Sequence, residues 1–420
     1  MKVLIKQANI VHPRSPHHGQ VRDILVINGL IKEIAATITA DEATMITGTH
    51  LHVSSGWVDC FADFADPGYE HRETMSTGAA AAAAGGFTDV FLIPNSSPVV
   101  SSKSQVEYIL QNAARVAVNL HPLASISKNA EGKELAEMYD MHRSGALAFT
   151  DGIHSVQSPG LVLKALQYLL AIDGTLIQLP DDKSVGGHGL MNEGIMSTRL
   201  GLPGKPAIGE ELMIARDIEL LRYTKSRLHI TGISTQKGID LVRAAKKEGL
   251  NLTCSATAYH AGFCDEDLNA YDTNLKVNPP LRSRADRNAV KTAIADGTID
   301  CLSSHHSPQH LDDKACEFEY AKNGMIGLET LFAAVNEFHP DLTLLVEQLT
   351  DRPRKIFGLP LISLEAGAEA CLTIFEPSET FVYESGHIRS KSKNTAYIGC
   401  QLKGKVSGII NKNQLVINKQ

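Results

Sequence analysis

Between residues 57 and 304, short apolar runs and longer helical patterns take turns along the chain, and that alternation limits the fold more than any other feature. The apolar runs fall at 57–62, 87–93, 118–124, 146–149, 175–179, 226–231, 250–255 and 299–304. Helical patterns follow most of them, at 102–116, 160–171, 209–223, 235–249 and 284–296. Runs this short and this apolar read as strands buried on both faces, and the intervening helices supply the cover a parallel sheet needs. Eight such units over roughly 300 residues predict an α/β fold of the TIM type, a (β/α)8 barrel. A doubly wound open sheet is the alternative, but no glycine-rich dinucleotide or phosphate loop follows the early strands.

The flanks carry strands without helices. Val3-Leu4-Ile5, Ile24 to Ile27 and Ile31 to Ile34 are short apolar runs, and Asn28-Gly29 between the last two is a hairpin signal. Leu372-Thr373-Ile374-Phe375, Gly408-Ile409-Ile410 and Leu415-Val416-Ile417 repeat the pattern near the other end. Residues 1–54 and 366–420 are therefore expected to pair as one small β-sandwich domain built from both termini, around a barrel of residues 55–365. The alanine tract 79–84 lies between Glu73 and Gly85-Gly86 and is predicted to be a tightly packed helix.

A net charge of −7 and a pI near 6.2 argue against nucleic acid or an anionic membrane as partner, since either favours a basic face. Seven scattered cysteines without a Cys-x-x-Cys pair fit a reducing compartment. Met1 to Lys6 is strand-like and has no signal-peptide core. The expected location is the cytoplasm.

An ordered series of motifs carries a resemblance. Gly56 to Gly68 runs from a buried strand into a Pro-Gly turn. Gly78 to Gly86 and Ile93-Pro94-Asn95-Ser96-Ser97-Pro98 follow, then Met191-Asn192-Glu193-Gly194, Arg199 to Gly204 and Glu210-Glu211. The run Tyr271 to Arg282, with Asp296 to Asp300 and Ile326 to Thr330, completes it. From about residue 55 to 335 this series resembles the dihydroorotases of the amidohydrolase superfamily. Those enzymes open or close a dihydropyrimidine amide ring by metal-assisted hydrolysis, with imidazole and carboxylate ligands converging from several strand ends.

The resemblance implies a zinc set that this chain does not carry. The His-x-His pair falls at Phe61 and Asp63, and the bridging acid at Gly152, with Asp151 beside it. The two single histidines fall at Leu179 and Gly232, and the aspartate that serves as ligand and base falls at His305. In the substrate shell, Asn95 and Asn278 match the family, whereas its arginine is Ala65 and its last histidine is Gln309. The two asparagines are vestigial ligand candidates, against the plainer reading that they satisfy loop backbone.

The resemblance together with these vacancies leads to the expectation of a non-catalytic homologue, with no catalytic residues and no zinc. Such a barrel would form a homo-oligomer and serve as an assembly partner of aspartate transcarbamoylase in pyrimidine synthesis, without membrane or nucleic-acid partners. One alternative is an active dihydroorotase, or related cyclic-amide hydrolase, with a rearranged metal site drawn from Asp63, Asp151, His305 and His306. The other is a binding module for pyrimidine ligands using Asn95 and Asn278. His50-Leu51-His52 has ligand spacing but precedes the first barrel strand, so it belongs to the opposite end. Asp181-Asp182 reads as solvated loop or helix-start acids, and His17-His18 as a solvated pair.

Overall fold

The computed structural model describes residues 1–418. Five strands come first: β1 (Lys2–Ile10), β2 (Val21–Ile27), β3 (Leu30–Ala35), β4 (Thr44–Ile46) and β5 (His52–Ser55). The middle of the chain carries β6 (Trp57–Ala62), β7 (Phe87–Leu92), β8 (Asn119–Pro122), β9 (Ala148–Phe149) and β10 (Thr175–Gln178). It continues with the short pair β11 (Met191–Asn192) and β12 (Gly204–Lys205), then β13 (Leu228–Ile230), β14 (Leu252–Ala256) and β15 (Cys301–Leu302). The chain closes with β16 (Leu372–Val382), β17 (Gln401–Asn411) and β18 (Gln414–Ile417).

The middle strands pair in parallel as two arcs, β6-β7-β8 and β9-β10-β13-β14-β15. Single bridges from Ala124 to Phe149 and from Ala62 to His306 join the arcs at both seams, giving a TIM-barrel-like ring. Every residue of β6 and β7 is buried, because helices cover the outer face while side chains of neighbouring strands fill the inner one.

Local chemistry sets where the covering helices begin. Thr74 caps Met75–Ala84 by accepting from the Thr77 N–H, and Ser158 caps Pro159–Leu170, whose proline occupies the first turn, where no N–H is needed. Thr235 and Ser283 cap Gln236–Lys247 and Arg284–Ala295 in the same way.

The termini form one mixed sheet in the order β18-β17-β16-β5-β1-β2-β3, with β4 beside β1. The expected sandwich is thus corrected to a single sheet. Its inner face packs on its own apolar cluster, which includes Val3, Ile24, Val53 and Leu372, and its edges are continuous through the β1–β5 and β5–β16 pairings. Asn28 and Gly29, both at positive φ, make the two-residue turn between β2 and β3.

The N-terminal end of the ring is sealed. Trp57 packs against Phe332 and Phe375 at ring-centroid distances of 4.7 and 5.3 Å. Beside it, buried Asp89 accepts from Arg354 at 2.6 Å and from His121 at 2.9 Å. Burial alone would raise the Asp89 pKa, but the His121 hydrogen bond and the Arg354 charge hold it well below the usual carboxylate range. No helix among the described residues is long and apolar enough to cross a membrane.

Candidate active site

At the C-terminal end of the ring, the connecting loops leave a cavity of about 480 Å³. Its floor is made from the positions where the family resemblance implies metal ligands. Phe61, the penultimate residue of β6, lays its ring on the His305 imidazole at a centroid distance of 4.6 Å. Leu179, just past β10, is buried beside them. Gly232, just past β13, has φ +69°, and a Cβ added there would sit 2.7 Å from His305 Cε1 and 3.2 Å from Leu179 Cδ1. A histidine at residue 232 would therefore overlap the imidazole already present. The fold still brings these four positions together, and they pack on one another.

His305 is the polar member of that floor. Its Nε2 lies 2.7 Å from Thr231 Oγ1, which meets Ser255 Oγ at 3.0 Å. Ser255 Oγ lies 3.0 Å from His229 Nε2, and His229 Nδ1 lies 2.9 Å from Thr253 Oγ1. This line of hydroxyls and imidazoles runs down the ring interior with no carboxylate in it. Burial, helped by His260 and His229, pushes the His305 pKa down to about 3, so the imidazole is neutral at physiological pH.

One wall of the cavity is an ion pair after β6. Asp63 accepts from the Ala65 N–H at 2.7 Å and from Arg72 Nη2 at 2.5 Å. Burial raises the Asp63 pKa, and the Arg72 charge only partly offsets it. His306, next in the wall, faces away from Asp63 toward Glu73. Its Nδ1 accepts from the Gly327 N–H at 3.3 Å, so the proton on Nε2 points to Glu73 at 3.4 Å. Glu73 also accepts from Thr77, Ser390 and the Lys391 N–H, which ties the 385–395 segment to the ring mouth.

The opposite wall is a second ion pair. Lys205, at the end of β12, donates to Asp181 Oδ2 at 2.8 Å and to Asn278 Oδ1 at 2.7 Å. Asn278 Nδ2 returns a hydrogen bond to Asp181 Oδ2 at 3.3 Å. Burial pulls the Lys205 pKa down and Asp181 partly restores it. Gln309 also lines the cavity, and its Oε1 is buried without a protein partner.

Several sequence expectations are corrected by this arrangement. Asp151 does not reach the cavity floor: its carboxylate accepts from the Ile126 and Ser127 N–H groups and from Ser127 Oγ, beside a separate cavity. Asn95 follows the plainer of its two readings and satisfies loop backbone, donating to the Asp151 carbonyl at 3.1 Å and accepting from the Ile153 N–H at 3.0 Å. Its side chain occupies the space a Cβ on Gly152 would take. The proposed rearranged set of Asp63, Asp151, His305 and His306 is thus divided among four separate hydrogen-bonding environments. Among the described residues no three His, Cys, Asp or Glu side chains form a metal-holding group. The donors the family's zinc requires are replaced by a phenyl ring, an isobutyl group and bare glycines, so these residues do not fit that ion.

Asp181 is the clearest oversight of the sequence reading. It is not a solvated loop acid but an ion-pair partner with a side chain only 12% exposed. Lys205 and Arg72 were not singled out either. The signal available for Lys205 was its place immediately after Leu202-Pro203-Gly204, inside a loop already matched to the family.

The ring, the terminal sheet and the mouth cavity define a hydantoinase-like amidohydrolase fold. The L-hydantoinase (dihydropyrimidinase) of Arthrobacter aurescens matches it with a TM-score of 0.85 at 23% identity, over 99% of this chain and 96% of its own. A dihydropyrimidinase from Brevibacillus agri matches with a TM-score of 0.80 at 17% identity, over 100% and 96%. A family model described as Dihydro-orotase-like matches residues 51–238. A dihydroorotase of Syntrophus aciditrophicus is 38% identical over 413 residues, 97% of each chain, and one of Acetivibrio thermocellus is 38% identical over 424 residues, 99% of each. The chain belongs to the dihydroorotase family. A third relative, from Pelotomaculum thermopropionicum, is 39% identical over 96% of each chain and is likewise a dihydroorotase. These end-to-end relatives overturn the expectation of a non-catalytic assembly partner of aspartate transcarbamoylase, because they favour a dihydroorotase over it.

Proposed function

We propose that this protein is a cyclic-amide hydrolase of the dihydroorotase type, opening or closing a dihydropyrimidine ring in the cavity at the ring mouth. The observation that carries the reading is similarity along the whole chain to relatives that are dihydroorotases. The cavity supports it: concave, apolar at its floor and lined by a few polar groups, as small-ligand sites are.

The two walls divide the work. Asn278 and the unpartnered Gln309 Oε1 offer donors and an acceptor to the C=O and N–H edges of the ring. Phe61 and Leu179 exclude water from its lower face. Asp63 takes a proton from the attacking water as the new C–O bond forms, and returns it to the ring nitrogen as the C–N bond breaks. Arg72 donates to the carbonyl oxygen while it carries negative charge. General base catalysis of this kind contributes roughly 10²–10⁴-fold, and one oxyanion donor roughly 10²–10³-fold. A carboxyl with a raised pKa is suited to the first task, because its conjugate base holds a proton better than a solvated carboxylate does.

The test is formation of ureido acid from dihydroorotate, followed with and without chelator. The expected result is turnover that chelator leaves unchanged, and a loss on the order of 10²-fold or more in Asp63→Asn with the unfolding midpoint retained. No product from the wild-type protein above the uncatalysed rate would sink the reading.

A further inference from the structure

The family resemblance puts the residue that grips the substrate's carboxylate at Ala65, which has no charge to offer. An anionic ring entering this cavity therefore needs a cation elsewhere. Arg72 is paired with Asp63 through Nη2 and stacks over the Tyr69 ring at 5.0 Å, and the reading above assigns its remaining donors, the buried and unpartnered Nε among them, to the reacting carbonyl. Lys183 also lines the cavity but is exposed to solvent, whereas Lys205 is mostly buried and fixed in place. Two of its three N–H donors go to Asp181 and Asn278, and the third has no protein acceptor among the described residues. Its side chain is only 14% exposed, so that donor competes little with bulk water. Asn278, its partner, is the family-matched asparagine that does line the cavity.

We propose that Lys205, held by Asp181 and Asn278, is the carboxylate clamp of this protein, and that it has moved to the wall opposite the position of Ala65. The inference rests on the hydrolase reading above and names the residue that recognises the substrate's carboxylate. Ala65 follows β6, whereas Asp181 follows β10, four strands further round the ring. A ring anchored by its carboxylate at Lys205 turns its amide toward Asp63 and Arg72. The clamp is a point charge and not a bidentate fork, so it recognises charge more than planar geometry. Asp181 holds the ammonium in place but also repels the incoming carboxylate, so the two effects of that residue are separable.

Calorimetric titration with dihydroorotate and with dihydrouracil, the same ring without its carboxylate, tests the clamp. Wild-type protein should prefer dihydroorotate. Lys205→Met should weaken dihydroorotate on the order of tenfold or more and leave dihydrouracil within about twofold, while Lys205→Arg should restore much of the loss. Asp181→Asn should tighten dihydroorotate and leave dihydrouracil unchanged. The double variant Lys205→Met with Asp181→Asn guards against a fold defect from an unpaired buried carboxylate, and should show the same lost preference. Equal weakening of both rings in the Lys205 variants would make the residue merely structural and overturn the clamp. Loss of the preference in Arg72→Gln but not in Lys205→Met would overturn it as well. If wild-type protein binds both rings and ignores Lys205, the clamp alone falls. If it binds neither, the hydrolase reading falls and takes the clamp with it.

Discussion

The two ends of the ring are built from the same strands and solve opposite problems. At the N-terminal end every strong charge has a fixed partner: Asp89 is held by Arg354 and His121, and Trp57 closes the opening with Phe332 and Phe375. At the C-terminal end the charges sit in the walls of a cavity, each cation sharing one carboxylate and keeping room for a ligand. Between them lies the column from His305 to His229, polar yet free of carboxylates. The difference shows where a family fold tolerates change. The sealed end carries the frame, so its partners are interdependent. The open end bears only its own side chains, and there Phe61 and Leu179 pack with Gly232 around His305.

Breaking the sealed end should cost most. Arg354→Met leaves the Asp89 carboxylate buried without its guanidinium, with only His121, Asn119 and Thr88 as donors, and chemical denaturation should show a loss of about 3–5 kcal/mol. Parallel truncations at the two ends sharpen the contrast. Phe87→Ala, at the closed end of β7, should cost about 3–5 kcal/mol by opening a dry void. Phe61→Ala should cost roughly half that or less, because water from the adjoining cavity can enter the space. Equal losses at both sites would mean that the mouth is as much a part of the frame as the base.

The column between the ends should appear in the pH dependence of stability. Burial pushes the His229 pKa down to about 3, from 6.5 in an unfolded chain. Between those values the unfolded state binds a proton that the folded state refuses, so stability is lost as pH falls below about 6.5, by about 1.4 kcal/mol per unit. The stability difference between wild type and His229→Asn should therefore shift by about 2 kcal/mol against the wild type between pH 6.5 and 5. A constant difference across that range would mean that the column is hydrated and His229 titrates normally.

Much of the frame was legible in the residues. Apolar runs of strand length, capping residues such as Thr74 and Ser158, and the Asn28-Gly29 turn act over a few positions, so local chemistry fixes them. The sandwich was misread as two sheets because strand sequences do not reveal which edges meet: β5 joins β1 to β16 only once the termini come together. Asp151 was offered as a ligand at the mouth, but it satisfies backbone N–H groups nearer at hand, where an unmade hydrogen bond would cost more, and Asn95 takes the loop-backbone role that was one of its two readings.

By itself, then, the sequence determined the parallel ring and the pairing of the two termini, since each depends on residue type and spacing alone. Only the tertiary structure decided that Asp181, Lys205 and Asn278, far apart along the chain, share one wall, and that His305 fills the space beside Gly232. Those contacts depend on how loops from different strands meet at the ring mouth. That meeting is set by closure of the whole ring, which no local pattern encodes.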